Sequence, residues 1–348
     1  MTRAIELSKK AKGQTSPNPI VGAVIVKNNK IIAEGFHKKA GSDHAEIVAL
    51  KKLRKGQAKG ATLYVTLEPC CHKEKRTPPC VEAILAAGFR RVVVGTLDPN
   101  PKVSGKGVRH LRGGGYRKGS DTSARRGVSV TTGILEKECR DLNFAYNKWI
   151  KTGLPFVTLK VASTLDGKIA DASGNSKWIT GEKSRRLVHQ MRSEVDAILV
   201  GAGTARKDNP LLNVRLPRYI GKQPMAVVVA GKKPLSKNLK LFKVKNRTVV
   251  IEQNKKGCVD LKALLKKLGK IGVTHLMVEG GGAIFSSFLK EKLTDRLCLF
   301  LAPKLLGGQA LDWFPKSNIR NLKDALELDN ISVKTLRDDM LIEGFLRK

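Results

Sequence analysis

Apolar, β-branched runs alternate with segments of helical period along this chain, and the alternation occurs twice, once on each side of a glycine-rich break. Alternation of that kind predicts α/β layers with a mainly parallel part. Val21–Val26 reads as a strand, Asn28-Asn29 as its turn and Ile31–Gly35 as the return strand of a hairpin. His44–Leu53 reads as a helix, because Ala45, Val48, Ala49 and Leu53 recur at helical spacing. Ala61–Leu67 is an expected strand, Cys80–Ala87 a helix stopped by Gly88, and Arg91–Gly95 a buried strand. Ahead of these, Ala4, Ile5, Ser8 and Ala11 share one helical face.

Residues 109–126 lose the pattern. They carry six Arg/Lys, one Asp and the run Gly113-Gly114-Gly115, and read as a flexible basic loop. Val128–Leu142 returns to order, and Lys148–Pro155 reads as a linker. The second alternation follows. Pro155–Ala162, Val195–Val200, Met225–Val229, Thr248–Ile251, His275–Val278 and Arg296–Leu301 are expected strands. Glu182–Arg192, Leu261–Leu268 and Ala283–Leu289 are expected helices. With 348 residues, two domains are expected, 1–147 and 148–348, with a basic insertion at about 113–126.

No run of 18 apolar residues occurs, so no spanning helix is expected. Met1–Lys12 lacks the apolar core of a signal peptide, and a cytoplasmic location is the expectation. Six cysteines are too few for a disulfide scaffold; Cys139, Cys258 and Cys298 stand alone and read as packing residues. The formal charge of +36 suits an anionic partner or a lysine-rich solvated surface. Aromatic content of 5% leaves few stacking platforms for single-stranded nucleic acid, so the diffuse surface is the reading adopted and a membrane or nucleic-acid partner is not expected. Assembly into a homo-oligomer is left open.

The cluster that carries chemistry is His44-Ala45-Glu46, then Pro69-Cys70, then Cys80. It offers one nitrogen and two thiolate ligands for zinc, with a fourth position left for water, and a glutamate not needed as a ligand. Zinc makes hydroxide available near neutral pH, and Glu46 can move protons to a leaving amine. His-x-Glu followed by Pro-Cys and a second cysteine is the pattern of zinc nucleobase deaminases, here with a longer cysteine spacing. Cys71 and His72 compete as ligands on sequence grounds, and Asn18 is a candidate for hydrogen-bonding the substrate ring.

Gly201-Ala202-Gly203 and Gly280-Gly281-Gly282 each follow an expected strand, where glycine lets backbone approach phosphate. Arg206 takes the last glycine place of a dinucleotide fingerprint and no acidic residue lies about 20 residues further on, which disfavours an ordinary NAD-binding Rossmann domain. Lys232 and Lys233 suit either a 2′-phosphate or a solvated turn.

These residues resemble the bifunctional deaminase–reductases of bacterial riboflavin biosynthesis along nearly the whole chain. The likeness runs through Thr15–Val24, His44-Ala45-Glu46, Thr66–Cys70, Arg76–Cys80 and Asp98–Pro101. It continues through Leu165–Lys168, Ser176–Gly181, Val200–Thr204, Glu279–Gly281 and Ala302–Gly307. The resemblance implies an α/β chain with a cytidine-deaminase-like N-terminal domain and a dihydrofolate-reductase-like C-terminal domain. It implies zinc and NADPH as cofactors, and a small phosphorylated pyrimidine as substrate. His44, Cys70 and Cys80 would hold zinc, and Glu46 would shuttle protons. Ala162, Trp178, Thr204, Asp208, Gly231, Gly281 and Gly282 match nucleotide-contacting positions. Ser176, Arg192, Leu212, Arg215 and Glu279 match substrate-contacting positions, with Lys160 on the same strand as Ala162. Arg192 and Arg215 suit clamps for the substrate phosphate.

Three departures stand out. The loop Cys71–Lys75 is one residue longer than usual and lacks its glycine, Ala230-Gly231 replaces Asp-Ser, and Asn209 replaces a second aspartate. A nucleic-acid base deaminase of the tRNA type with a basic accessory domain is the competing reading; it leaves Leu165–Trp178 and the glycine loops without a role.

Overall fold

The computed structural model describes residues 1–72, 78–113, 127–231, 233–243, 248–251, 259–317 and 319–347. The chain divides into two units, Met1–Gly153 and Leu154–Lys348.

In the first unit α1 (Thr2–Lys9) precedes a hairpin of β1 (Gly22–Lys27) and β2 (Lys30–Phe36). Asn28 and Asn29 both hold positive φ, 50° and 57°, which is the two-residue turn whose twist matches the strands. Then come α2 (Ala45–Leu50), β3 (Thr62–Leu67), α3 (Cys80–Ala87), β4 (Arg91–Thr96), α4 (Lys106–Gly113), β5 (Ser129–Thr132), α5 (Glu136–Asp141) and α6 (Phe144–Thr152). The sheet order is β2-β1-β3-β4-β5, antiparallel at its β2-β1-β3 edge and parallel through β3-β4-β5. Ile25, Leu63, Ile84, Val92 and Leu111 fill the core between sheet and helices. Gly35 sets how closely α2 lies on the sheet. A Cβ there would stand 2.3 Å from the Ala45 carbonyl oxygen and 2.5 Å from the Ala49 nitrogen. Without a side chain at 35, the helix that begins after His44 packs directly on β2.

Two stretches differ from expectation. Arg109–Gly113 belong to helix α4, not to a loop: Val108 and Leu111, one turn apart, are buried, and their period is hidden in the sequence by surrounding charge. The expected linker Lys148–Pro155 is mostly the end of α6, whose Tyr146 is buried. Asn143 at its start ties it down, its Oδ1 accepting the Ile20 N–H at 2.8 Å and its Nδ2 donating to the Ile20 carbonyl at 3.0 Å. α2 is also shorter than the periodicity suggested, ending at Leu50. Residues 114–126, most of the expected insertion, and residues 73–77 of the inter-cysteine loop lie outside the described residues, as does Cys258. Cys139 and Cys298 are fully buried.

The second unit opens with β6 (Phe156–Thr164) and β7 (Lys168–Ala170). It continues with α7 (Glu182–Ser193), β8 (Ala197–Gly201), α8 (Ala202–Asp208), β9 (Met225–Val229) and β10 (Thr248–Ile251). α9 (Leu261–Lys270), β11 (His275–Gly280), α10 (Gly282–Lys290), β12 (Arg296–Ala302) and β13 (Leu311–Asp312) follow. The described chain closes on the hairpin β14 (Leu328–Leu336) and β15 (Asp339–Leu346). The sheet order is β10-β9-β8-β11-β6-β12-β15-β14, parallel from β10 to β12 and antiparallel beyond. The chain moves from β6 out to β8, β9 and β10, then returns to place β11 on one side of β6 and β12 on the other. In such sheets ligands bind in a crevice outside the carboxyl ends of the strands. Among the described residues, no helix is long and apolar enough to cross a membrane.

Candidate active sites

His44 is the residue at which α2 begins, with extended backbone (φ −70°, ψ 160°), so its ring leaves the helix end. β3 delivers Cys70 through Glu68-Pro69, and Cys80 opens α3 with its N–H 3.3 Å from Cys70 Sγ. The three potential ligand atoms lie within 4.8 Å of one another. His44 Nδ1 is 3.5 Å from Cys70 Sγ and 3.3 Å from Cys80 Sγ. Tetrahedral zinc, with bonds of about 2.1 and about 2.3 Å, imposes an N···S edge of about 3.5 Å. One nitrogen and two sulfurs at that spacing fit zinc. Cys71 and His72 are outside the cluster.

A cavity of about 640 Å³ adjoins this cluster. Glu46 lines it, yet the residue is buried; burial, reinforced by the Cys70 charge, raises its carboxyl above the ordinary range. Asn18 also lines it. Its Nδ2 donates to His37 Nε2 at 3.2 Å, and His37 Nδ1 donates to the Asp43 carbonyl at 3.0 Å. Asp98 lines the cavity too, and its Oδ1 accepts from Tyr146 Oη at 3.0 Å and from the Asn100 N–H at 2.9 Å. Burial pushes the Asp98 carboxyl up to about 6 against those hydrogen bonds. Glu68 accepts the N–H groups of Asp98, Gly105 and Val108 at 3.2, 2.9 and 3.0 Å, fixing that loop. The sequence reading assigned no role to Asp98, His37 or Tyr146; Asp98-Pro99-Asn100-Pro101 was visible only as a motif.

In the second unit a cavity of about 630 Å³ opens at the carboxyl ends of β6, β8 and β11. It gathers Lys160 and Ala162 from β6, Ser176 and Trp178 from the β7–α7 loop, Arg192 from α7, and Thr204 and Asp208 from α8. Arg215 and Glu279–Gly282 complete that wall. Gly281 adopts φ 79° at the start of α10, a conformation that turns the β11 end into the helix. Trp178 is 65% exposed, with the Arg185 guanidinium 4.5 Å from its ring centre and Lys304 Nζ donating to its carbonyl at 2.8 Å.

The polar floor is an ion pair. Arg192 donates from Nε and Nη2 to the two oxygens of Glu279, and from Nη1 to the Asn213 carbonyl at 3.1 Å. Three of the five guanidinium N–H groups are engaged, so Arg192 serves Glu279 first and Arg215 is the more available anion ligand. Burial lowers Lys160 below the ordinary lysine range, with the Glu279 charge opposing.

Two of the expected residues are not among those lining the cavity. Leu212 is 2% exposed and packs with Val195, Ile198 and Val200, so its side chain serves the core and not the cavity. Gly231 does not line the cavity; it follows β9, nearer the edge of the sheet. His189, Arg185 and Lys207 do line it and were not foreseen.

Comparison with known proteins resolves the family. The model for the cytidine and deoxycytidylate deaminase zinc-binding region matches residues 1–96, and the RibD C-terminal domain model matches residues 155–342. The riboflavin biosynthesis protein RibD of Aquifex aeolicus is 42% identical over 361 aligned positions, covering 98% of this chain and 96% of that protein. The chain belongs to the RibD family.

The RibD protein of Escherichia coli is 34% identical over 98% of this chain and 97% of its own length. The Acinetobacter baumannii RibD structure superposes with a TM-score of 0.90 at 37% identity, covering 100% of this chain and 98% of that one. A diaminohydroxyphosphoribosylaminopyrimidine deaminase / 5-amino-6-(5-phosphoribosylamino)uracil reductase from Thermotoga maritima superposes at 0.87 with 38% identity, over 100% and 97%. The chain is thus an enzyme with a cytidine-deaminase-like, zinc-binding N-terminal domain and a dihydrofolate-reductase-like C-terminal domain. A nucleic-acid base deaminase is not favoured, since the RibD C-terminal model claims the second domain.

Proposed function

We propose that the first domain hydrolyses the 2-amino group of 2,5-diamino-6-ribosylamino-4(3H)-pyrimidinone 5′-phosphate, and that the second reduces the ribosyl chain of the product with NADPH. The final product is 5-amino-6-ribitylaminouracil 5′-phosphate. The observation that carries this reading is the convergence of His44, Cys70 and Cys80 on one cavity with buried Glu46, in a chain whose other domain holds a second, cationic cavity.

His44 Nδ1 and the Cys70 and Cys80 sulfurs would hold zinc, which supplies hydroxide at neutral pH. Glu46 accepts a proton at its carboxylate and returns it to the departing amine; its raised carboxyl brings that exchange closer to neutrality. His37 turns the Asn18 amide nitrogen toward itself, leaving Asn18 Oδ1 to accept from a ring N–H. In the second domain, NADPH supplies hydride. Thr204, Asp208 and the start of α10 at Gly281-Gly282 suit its phosphates and ribose, and Trp178 gives an aromatic wall. Lys160, its ammonium made more acidic by burial, donates a proton to the ring oxygen as the ribosylamine opens to its C1′=N imine, the bond that is then reduced, while Glu279 orients the chain.

The two half-reactions are separable. Zinc-loaded protein with the diaminopyrimidinone phosphate is expected to release ammonia without NADPH, and to oxidise NADPH when given the deaminated compound. Failure of the second reaction would remove the reductase assignment.

A further inference from the structure

The segment Leu212–Arg215 reaches the reductase cavity at Arg215 and is pinned on alternate residues. Leu212, at φ 47°, and Val214 are buried. The Val214 N–H donates to Gln223 Oε1 at 2.8 Å, and Gln223 Nε2 returns a bond to the Val214 carbonyl at 3.2 Å. Asn213 and Arg215 face the other way, toward α7. Arg192 Nη1 holds the Asn213 carbonyl at 3.1 Å, and Arg215 Nη1 donates to Asn213 Oδ1 at 2.8 Å. The remaining link is His189, one helical turn before Arg192, whose Nδ1 accepts the Arg215 N–H at 3.3 Å. His189, Arg192 and Arg215 all line the cavity.

We propose that His189 is a positioning residue of the reductase: by holding the Arg215 main chain it seats the Arg215 guanidinium over the cavity, where it binds the phosphate of the sugar substrate. The bond requires an unprotonated Nδ1. Burial and the charges of Arg192 and Arg215, opposed by Glu279 and by a hydrogen bond to the Asn213 main chain, lower the ring to about 4, so it is neutral at neutral pH, and the Arg215 N–H selects the tautomer with its lone pair on Nδ1. Asn213 and Arg215 thus hang from two residues of one helix face, and Arg192, occupied with Glu279, leaves Arg215 as the anion ligand. This inference rests on the reading that the reductase substrate is phosphorylated.

The test measures NADPH oxidation with the deaminated substrate and with its dephosphorylated counterpart, for wild type, His189→Ala, His189→Asn, Arg215→Ala and the double variant His189→Ala/Arg215→Ala. His189→Ala is expected to raise KM for the phosphorylated substrate about tenfold, as loss of one hydrogen bond of ordinary strength does, with kcat within about twofold and KM for NADPH unchanged. His189→Asn, which offers Oδ1 in place of Nδ1, is expected to recover most of that loss. The double variant should be no worse than Arg215→Ala, because both changes remove one function. A folded His189→Ala enzyme that keeps the wild-type preference for phosphate would overturn the proposal, as would full additivity in the double variant. A wild-type enzyme indifferent to phosphate would instead overturn the phosphate reading, and this inference with it.

Discussion

Arg192 closes on Glu279 along one edge, Nε to Oε1 at 2.7 Å and Nη2 to Oε2 at 2.6 Å, with both side chains largely buried at 12% and 7% exposure. Burial would raise the Glu279 carboxyl, but the Arg192 charge and hydrogen bonds outweigh it and hold the group below its ordinary range. Glu279→Ala leaves a buried guanidinium unpaired and is expected to destabilise the second domain by about 3–5 kcal/mol, measured by calorimetric unfolding at pH 7. A depressed folded pKa means that this stability is present above the unfolded carboxylate value and is lost as pH falls through the folded one. The difference between wild type and Glu279→Gln should therefore shrink on acidification below about pH 4.

Glu46 carries no ligand role, so it can be tested without losing metal. Glu46→Gln is expected to retain zinc at wild-type stoichiometry, measured by elemental analysis, while ammonia release falls about 10²–10⁴-fold. Undiminished release would remove the proton-shuttle assignment.

Asp98 is a carboxyl that burial holds against its ordinary ionisation. Its folded pKa of about 6 exceeds the ordinary 3.8, so its contribution to stability is fully present below the unfolded value and lost as pH rises through 6. Asp98→Asn, which preserves an oxygen for Tyr146 and Asn100, is expected to stabilise the first domain at pH 7.5 by about 1–3 kcal/mol and to have little effect near pH 4. Deaminase activity should fall in the same variant. A variant less stable than wild type at pH 7.5 would contradict the burial argument.

Much of this was legible in the sequence, for physical reasons that differ by element. The Asn28-Asn29 turn, the Met225–Val229 strand and the Cys80–Ala87 helix ended by Gly88 obey local rules, and the structure places them at those residues. Zinc ligation demands particular atoms, so His44, Cys70 and Cys80 could be read from their chemistry. α4 was hidden because two buried residues among many charges make a weak period. The closing hairpin escaped notice because β14 is mostly exposed and lacks an apolar run. Asp98, Glu68 and His189 act through long-range contacts that no local pattern encodes. Leu212 is a position carried over by likeness, and its side chain is buried in the core.

Metal removal should divide the chain's two activities. Chelation is expected to abolish ammonia release and leave NADPH oxidation on the already deaminated compound within about twofold of the untreated rate, and added zinc to restore release. Equal loss of both reactions would show that the metal supports the second domain as well.

The most direct measurement follows both products in one reaction: purified zinc-loaded chain, diaminopyrimidinone phosphate and NADPH, with ammonia and NADPH quantified together. The account predicts ammonia first and then one NADPH consumed per ammonia released, ending at the ribityl product. Ammonia released with no NADPH oxidised, in protein whose second domain is folded, would contradict it.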